Sequence, residues 1–245
     1  MLSKAGIFKF HIESYLCDFT GKATLPVIGN FILKVATIHA YERGFGYDDI
    51  IKDHVAWVLS RSSIEMTEYP GHDEDLTVET WVENVTRFFT QRCFCFINKD
   101  NKIIGYARTI WAAIDVKTRR PTDIPVWRPN LADYVVEEKE CPIDKLAKIP
   151  SVDDVESSMG YTVRYSDIDI NKHINSNKYI EHIINVFPLE FFREKRIHKF
   201  EIVYLLEGVF GDKIKLYKQA VSENEFIIDT KRDEDSICRA RIIWK

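Results

Sequence analysis

The sequence predicts an α+β chain built as a tandem of two related units, each a central helix wrapped by a curved antiparallel sheet. Three observations lead there. The stretch IGYARTIW at 104–111 returns as ICRARIIW at 237–244, with Ile, Ala, Arg, Ile and Trp coincident. Each copy follows a charged turn, INKDNK or DTKRDED, and before it an apolar run, RCFCF or EFIID, so each reads as the closing hairpin of a meander. Each half also carries one helical period, Ile28, Phe31, Ile32 and Val35 in the first and Ile180, Ile183, Ile184 and Phe187 in the second.

Taken in order, MLSKAGIFKFHIESY reads as strand, and the first helix is closed by Gly44. Long strands such as EDLTVETWVENVT lead to the first hairpin. Residues 136–158, VEEKECPIDKLAKIPSVDDVESS, combine charge, two prolines and weak periodicity and read as a linker. Pro188 limits the second helix, and strands such as DKIKLYKQAV lead to the C-terminal hairpin. The expected division is therefore 1–135, linker 136–158, and 159–245.

Bulk properties exclude several classes of function. With 34 Lys+Arg against 38 Asp+Glu among 245 residues, the charge balance offers no general affinity for nucleic acid or an anionic membrane. Cys17, Cys93, Cys95, Cys141 and Cys238 are odd in number and form no CxxC pair, which argues against a disulfide framework and a zinc site. No metal or cofactor is expected. No apolar run approaches the roughly 18 residues of a membrane span, and the N-terminus is unlike a signal or transit peptide, so the expected location is cytoplasmic. His11, His39, His54, His72, His182 and His198 are scattered without ligand spacing and read as structural or surface residues.

One segment stands apart: YSDIDINKHIN, residues 165–175, sets two aspartates, two asparagines and a histidine ahead of the second helix. The spacing of Asp167, Asp169 and Asn171 imitates a calcium loop, but Lys172 and Lys178 stand where glycine and a bidentate glutamate are needed. Turn and cap chemistry accounts for part of the composition, with Asn175 or Ser176 as the cap. His173 is left over. A loop of Asp, Asn and His ending at a helix N-terminus is suited to binding a polarised carbonyl oxygen.

YSDIDINKHINSNKYIEHI resembles the signature segment of the acyl-acyl carrier protein thioesterases, and VETWV, ARTIW, KTRRPTDIP and FEIVYLLEGVFGD are similar to segments of that family in the same order. The resemblance implies a double hotdog fold and hydrolysis of fatty acyl thioesters. It also implies a catalytic set of Asp169, Asn171, His173 and, in YLLEGVFGD, Glu207. Plant members carry a cysteine after that glutamate; here the residue is Gly208, which leaves water activation rather than a thiol nucleophile. The first-half counterpart, CDFTGKATLPVIGNFIL, has Asp18 but no histidine, so this half is expected to shape the acyl pocket, with Ile28, Ile32 and Trp57 as lining.

In the expected mechanism Glu207 is the base, Asn171 and His173 position the water or the base, His173 protonates the departing thiolate, and N–H groups near the start of the second helix hold the oxyanion. Asp169 orients the set or serves as base in place of Glu207. The implied partner is acyl carrier protein bearing a fatty acyl phosphopantetheine, met by Arg119, Arg120, Arg193, Lys195 and Arg196. The chain is expected to be a monomer or homodimer. An acyl-CoA thioesterase of the same fold, or a non-catalytic acyl-binding hotdog protein, are the alternatives.

Overall fold

The computed structural model describes residues 3–153 and 155–245, so Asp154 of the expected linker lies outside the described residues. Two compact units are formed, one of Met1–Ser60 and Ile64–Lys145, the other of Arg61–Ser63 and Leu146–Lys245.

The first half runs β1 (Gly6–Ile12), α1 (Leu25–Tyr41), β2 (Val55–Met66), β3 (Glu74–Val85), β4 (Phe89–Asn98) and β5 (Ile103–Asp115), with short helical turns between. Its strands lie in the order β1-β3-β4-β5-β2. The second half runs β6 (Met159–Thr162), α2 (Ser176–Ile184), α3 (Leu189–Glu194), β7 (Ile197–Tyr204), β8 (Lys213–Ala220), β9 (Glu225–Arg232) and β10 (Asp235–Trp244). Here the order is β6-β8-β9-β10-β7, the same permutation of five strands. The repeated octapeptides fall in β5 and β10, each antiparallel to the strand before it. The double hotdog is thus present as expected.

Local chemistry explains the helices. Thr24 caps α1, its Oγ1 accepting from Val27 N at 3.4 Å, and Pro26 costs nothing in a first turn whose N–H groups lack partners. At the other end Gly44 adopts φ 75°, with Phe45 N donating to Ala40 O (2.9 Å) and Gly44 N to Tyr41 O (3.1 Å). That pattern needs a left-handed residue, hence glycine. Ile28, Ile32 and Val35 are buried along one face of α1, as their spacing predicts.

The second helix is shorter than its apolar period. α2 ends at Ile184, and Val186 and Phe187 turn away through bonds to Ile183 O (3.3 Å) and Ile184 O (3.2 Å) ahead of Pro188. The residue before a proline disfavours helical backbone. Phe187 is nonetheless buried, within ring distance of Phe226 (5.1 Å) and Trp244 (5.0 Å).

Residues 136–158 contain no helix or named strand among those described, yet they are packed. Cys141 and Ile143 bury against Trp81, Cys93 and Cys95. Arg108 pairs with Glu83 at 2.7 Å and donates to Cys141 O at 3.2 Å, holding this piece to the first sheet. Further on, Ile149 and Val152 bury against Ile227, and Val152 N donates to Asp229 Oδ2 at 3.1 Å.

Candidate active site

The DIDINKHIN segment folds as a hairpin. Asp167 O accepts from Asn175 N (2.8 Å), Ile168 bridges to Ile174, and Asp169 N donates to His173 O (2.9 Å). Residues 170–172 are the loop, with Lys172 at φ 67°, the left-handed position that closes a three-residue hairpin. Asp169 Oδ1 accepts from Asn171 N (2.8 Å) and His173 N (3.3 Å). The D-x-N-x-H spacing is therefore a turn specification: the aspartate satisfies the loop's N–H groups, and the histidine is its cross-strand neighbour. Neither aspartate is arranged for calcium, since Asp167 is engaged elsewhere, by Tyr161 Oη (2.8 Å) and Arg164 N (2.6 Å).

The first half holds the same hairpin. Asp18 N donates to Lys22 O (2.9 Å), Asp18 Oδ1 accepts from Thr20 N (2.7 Å), Gly21 has φ 72°, and Cys17 bridges to Ala23. By this register Asp18 matches Asp169, Thr20 matches Asn171 and Lys22 matches His173. The aspartate is common to both turns, and only the second carries the imidazole.

Glu207 comes from the loop after β7. Arg232 Nη1 donates to Glu207 O (3.3 Å) and to Asp212 Oδ2 (2.6 Å), while Asp212 Oδ2 also accepts from Val209 N (2.9 Å). The two loops are joined where Ile174 N donates to Gly208 O at 2.9 Å. This brings Glu207 Oε2 to 3.3 Å from His173 Nε2, with the side chains 40% and 29% exposed. Ala23 N donates in the same way to Pro70 O (2.9 Å), so Tyr69 stands where Glu207 does. Within three residues of His173 or Glu207 in the chain, Ile170, Leu205, Leu206, Val209 and Phe210 are exposed apolar side chains.

At the start of α2, where N–H groups are expected for an oxyanion, those of Asn177 and Lys178 are already taken. Asn175 is the cap, its Oδ1 accepting from Asn177 N and its O from Lys178 N, both at 2.8 Å. Asn171, at the exposed hairpin tip, makes no side-chain hydrogen bond among the described residues.

Two family models match, the acyl-ACP thioesterase N-terminal domain over residues 7–126 and the acyl-ACP thioesterase C-terminal domain over 151–245. This chain belongs to the acyl-ACP thioesterase family. It is similar to an acyl-ACP thioesterase from Bacteroides thetaiotaomicron, 42% identical with TM-score 0.93, covering 99% of this chain and 98% of that one. It shares its fold with a 12:0-ACP thioesterase from Umbellularia californica at 21% identity and TM-score 0.86, covering 100% and 98%. An oleoyl-acyl carrier protein thioesterase 2, chloroplastic, from Arabidopsis thaliana is 27% identical over 243 residues, 89% of this chain. The chain spans 64% of that relative's length.

The remaining expected residues are dispersed. Ile28 and Ile32 are buried on α1, whereas Trp57 packs in a separate cluster with Phe45 and Trp127, its Nε1 donating to Phe45 O at 3.1 Å. Arg119, Arg120 and Arg193 are exposed. Lys195 and Arg196 are half-buried and turned to internal partners: Lys195 Nζ donates to Asn224 Oδ1 at 2.6 Å, and the Arg196 guanidinium donates to Phe192 O and Lys195 O. His182, read from sequence as a structural or surface histidine, is buried with Nε2 at 3.3 Å from Asp167 Oδ1. Aligning the two hairpins along the chain is the signal that would have singled it out. No described helix is long and apolar enough to cross a membrane.

Proposed function

We propose that the chain hydrolyses the thioester joining a fatty acyl group to acyl carrier protein, releasing the free fatty acid and ending its elongation. The observation that supports this best is the pairing of His173 Nε2 with Glu207 Oε2 at 3.3 Å, in a half whose partner half has lysine and tyrosine at the same positions. A thioester carbonyl is already electrophilic, so the site needs a held water, a base and a donor for the oxyanion. Glu207 takes the water proton as hydroxide adds to the carbonyl carbon. The side-chain amide of Asn171 is the donor assigned to the oxyanion. On collapse the C–S bond breaks, and His173, sharing its hydrogen bond with Glu207, passes the proton to the departing sulfur.

Asp169 is assigned to holding the turn rather than to the base, because both hairpins keep the aspartate and only one keeps the histidine. Exposed apolar side chains next to His173 and Glu207 in the chain suit a long acyl substrate, and Ile28, Ile32 and Trp57 of the first half are assigned to shaping its pocket. Arg119, Arg120 and Arg193 are the exposed cations assigned to the acidic carrier. A cytoplasmic location is the one that suits five free cysteines, and a monomer or homodimer is the proposed assembly.

The test is thiol release from palmitoyl-acyl carrier protein and palmitoyl-CoA at equal low concentration. Faster turnover of the carrier thioester is expected, with Glu207→Ala and His173→Ala each lowering kcat by about 10²-fold or more. Near-wild-type turnover in both variants would overturn the site, preference for CoA would overturn the partner, and no hydrolysis of either would overturn the activity.

A further inference from the structure

The hairpin stands on a foot that differs in chemistry between the halves. In the first half the main chain enters through Leu16, whose O accepts from the cap Thr24 N at 3.4 Å. In the second the corresponding bond runs from the cap Asn175 N to Asp167 O at 2.8 Å. Counting along the chain from these matched points, Tyr161 on β6 matches Phe10 on β1, and His182 on α2 matches Phe31 on α1. The side chains confirm the register: the Phe10 and Phe31 rings stack at 4.5 Å, and those of Tyr161 and His182 lie 4.0 Å apart. One half builds the foot from Phe, Leu and Phe; the other builds the same foot from Tyr, Asp and His.

The polar version is centred on Asp167. Asp167, 3% exposed, accepts at Oδ2 from Tyr161 Oη (2.8 Å) and Arg164 N (2.6 Å) and faces His182 Nε2 at Oδ1 (3.3 Å). Burial lowers the pKa of the His182 imidazole, against the pull of the Asp167 carboxylate. Removing a carboxylate, a phenol and an imidazole from water is costly unless each finds partners, and at the same register the first half has the hydrocarbon side chains of Phe10, Leu16 and Phe31. The polar trio therefore supplies something other than stability. Directional hydrogen bonds fix register and rotation, where apolar contacts tolerate sliding.

We propose that Asp167, Tyr161 and His182 are positioning residues: their network clamps the foot of the 167–175 hairpin to β6 and α2 so that His173 is held within hydrogen-bonding distance of Glu207. This rests on reading His173 and Glu207 as the reacting pair. Asp167 begins the hairpin ladder two residues before Asp169, so a slip at the foot is carried through the Asp169–His173 bond to the imidazole.

The test transplants the apolar foot as Tyr161→Phe/Asp167→Leu/His182→Phe, alongside the single variants Asp167→Asn and Tyr161→Phe, which keep the shape should the triple variant not fold. The triple variant is expected to melt at or above the wild-type temperature while kcat for palmitoyl-acyl carrier protein falls about tenfold or more and KM changes less than about twofold. Amide hydrogen exchange at Asn171 and His173 is expected to quicken by about tenfold or more, with β9 and β10 unchanged. The singles follow in the same direction with smaller changes. Wild-type kcat and wild-type hairpin exchange in these variants would overturn the proposal, as would a kcat loss accompanied by faster exchange throughout the second half. A wild-type protein inert to every thioester would overturn the functional reading instead, and the exchange comparison would still decide the positioning.

Discussion

Gly208→Cys puts a thiol beside Glu207, where the plant members of the family carry one, and the packing around it predicts that this chain cannot use it. A Cβ at 208 would lie 2.4 Å from Ile174 Cδ1, 3.1 Å from Ile174 Cγ1 and 2.9 Å from Tyr179 Oη. Carbon atoms settle at about 3.5–4.0 Å, so the Ile174 δ-methyl must move by roughly 1 Å. Its surroundings resist, because Ile174 is 5% exposed and its N–H is bonded to Gly208 O at 2.9 Å. Overpacking of this kind costs about 1–3 kcal/mol, which for a chain of this length lowers Tm by roughly 2–12 °C. The displacement falls on the residue after His173, so kcat is expected to drop several-fold and to stay insensitive to thiol alkylation. Ile174→Val removes the clashing methyl, and the double variant is expected to recover about 1 kcal/mol relative to additivity. Differential scanning fluorimetry and thiol release, with and without iodoacetamide, measure all of this. A Gly208→Cys protein that melts with the wild type, owes nothing to Ile174, and loses activity on alkylation would refute the reasoning.

Acid should weaken the first half through His39. This fully buried imidazole donates from Nε2 to Lys4 O (3.1 Å) and accepts at Nδ1 from Arg92 (2.9 Å), and burial, then Arg92 and Arg43, push its pKa down to about 3. The unfolded chain takes up that proton near its ordinary 6.5 and the folded chain does not, so stability is full above this value and declines as pH falls toward about 3. The loss between pH 8 and pH 5 is about 2 kcal/mol, and urea titrations should find it reduced by that amount in His39→Gln. Charge reversal at Arg119 and Arg120 should raise KM several-fold for the carrier substrate and leave a small thioester unchanged, with the effect shrinking in salt. Lys195→Met and Arg196→Met should instead lower Tm with KM intact, since those side chains serve Asn224, Phe192 O and Lys195 O; a KM effect confined to the carrier would contradict this.

Much of the fold was legible because its signals are local. The octapeptide repeat located the matching strands β5 and β10, and the apolar period of α1 reached its buried face unaltered. Where local signals competed, reading along the chain overshot: Phe187 continues the helical period of α2, yet Pro188 ends the helix first and the ring is buried among aromatic neighbours instead. The candidate site was legible in part. His173 stood out because turn and cap chemistry left it unexplained, whereas Glu207 had no such signal and came only through the family resemblance.

What the sequence by itself determined is what depends on near neighbours in the chain: two related units, a hairpin specified by aspartate at each, and a histidine in one of them. Only the tertiary structure decided what those groups meet. It set Glu207 beside His173 through a main-chain bond between two loops, bonded Asp169 to the N–H groups of its own turn, occupied the N–H groups of Asn177 and Lys178 with Asn175, and turned Lys195 and Arg196 inward. It also assembled Tyr161, Asp167 and His182 from a strand, a turn and a helix. Hydrogen bonds act over about 3 Å, and which groups come that close is settled by strand register and helix packing rather than by spacing along the chain.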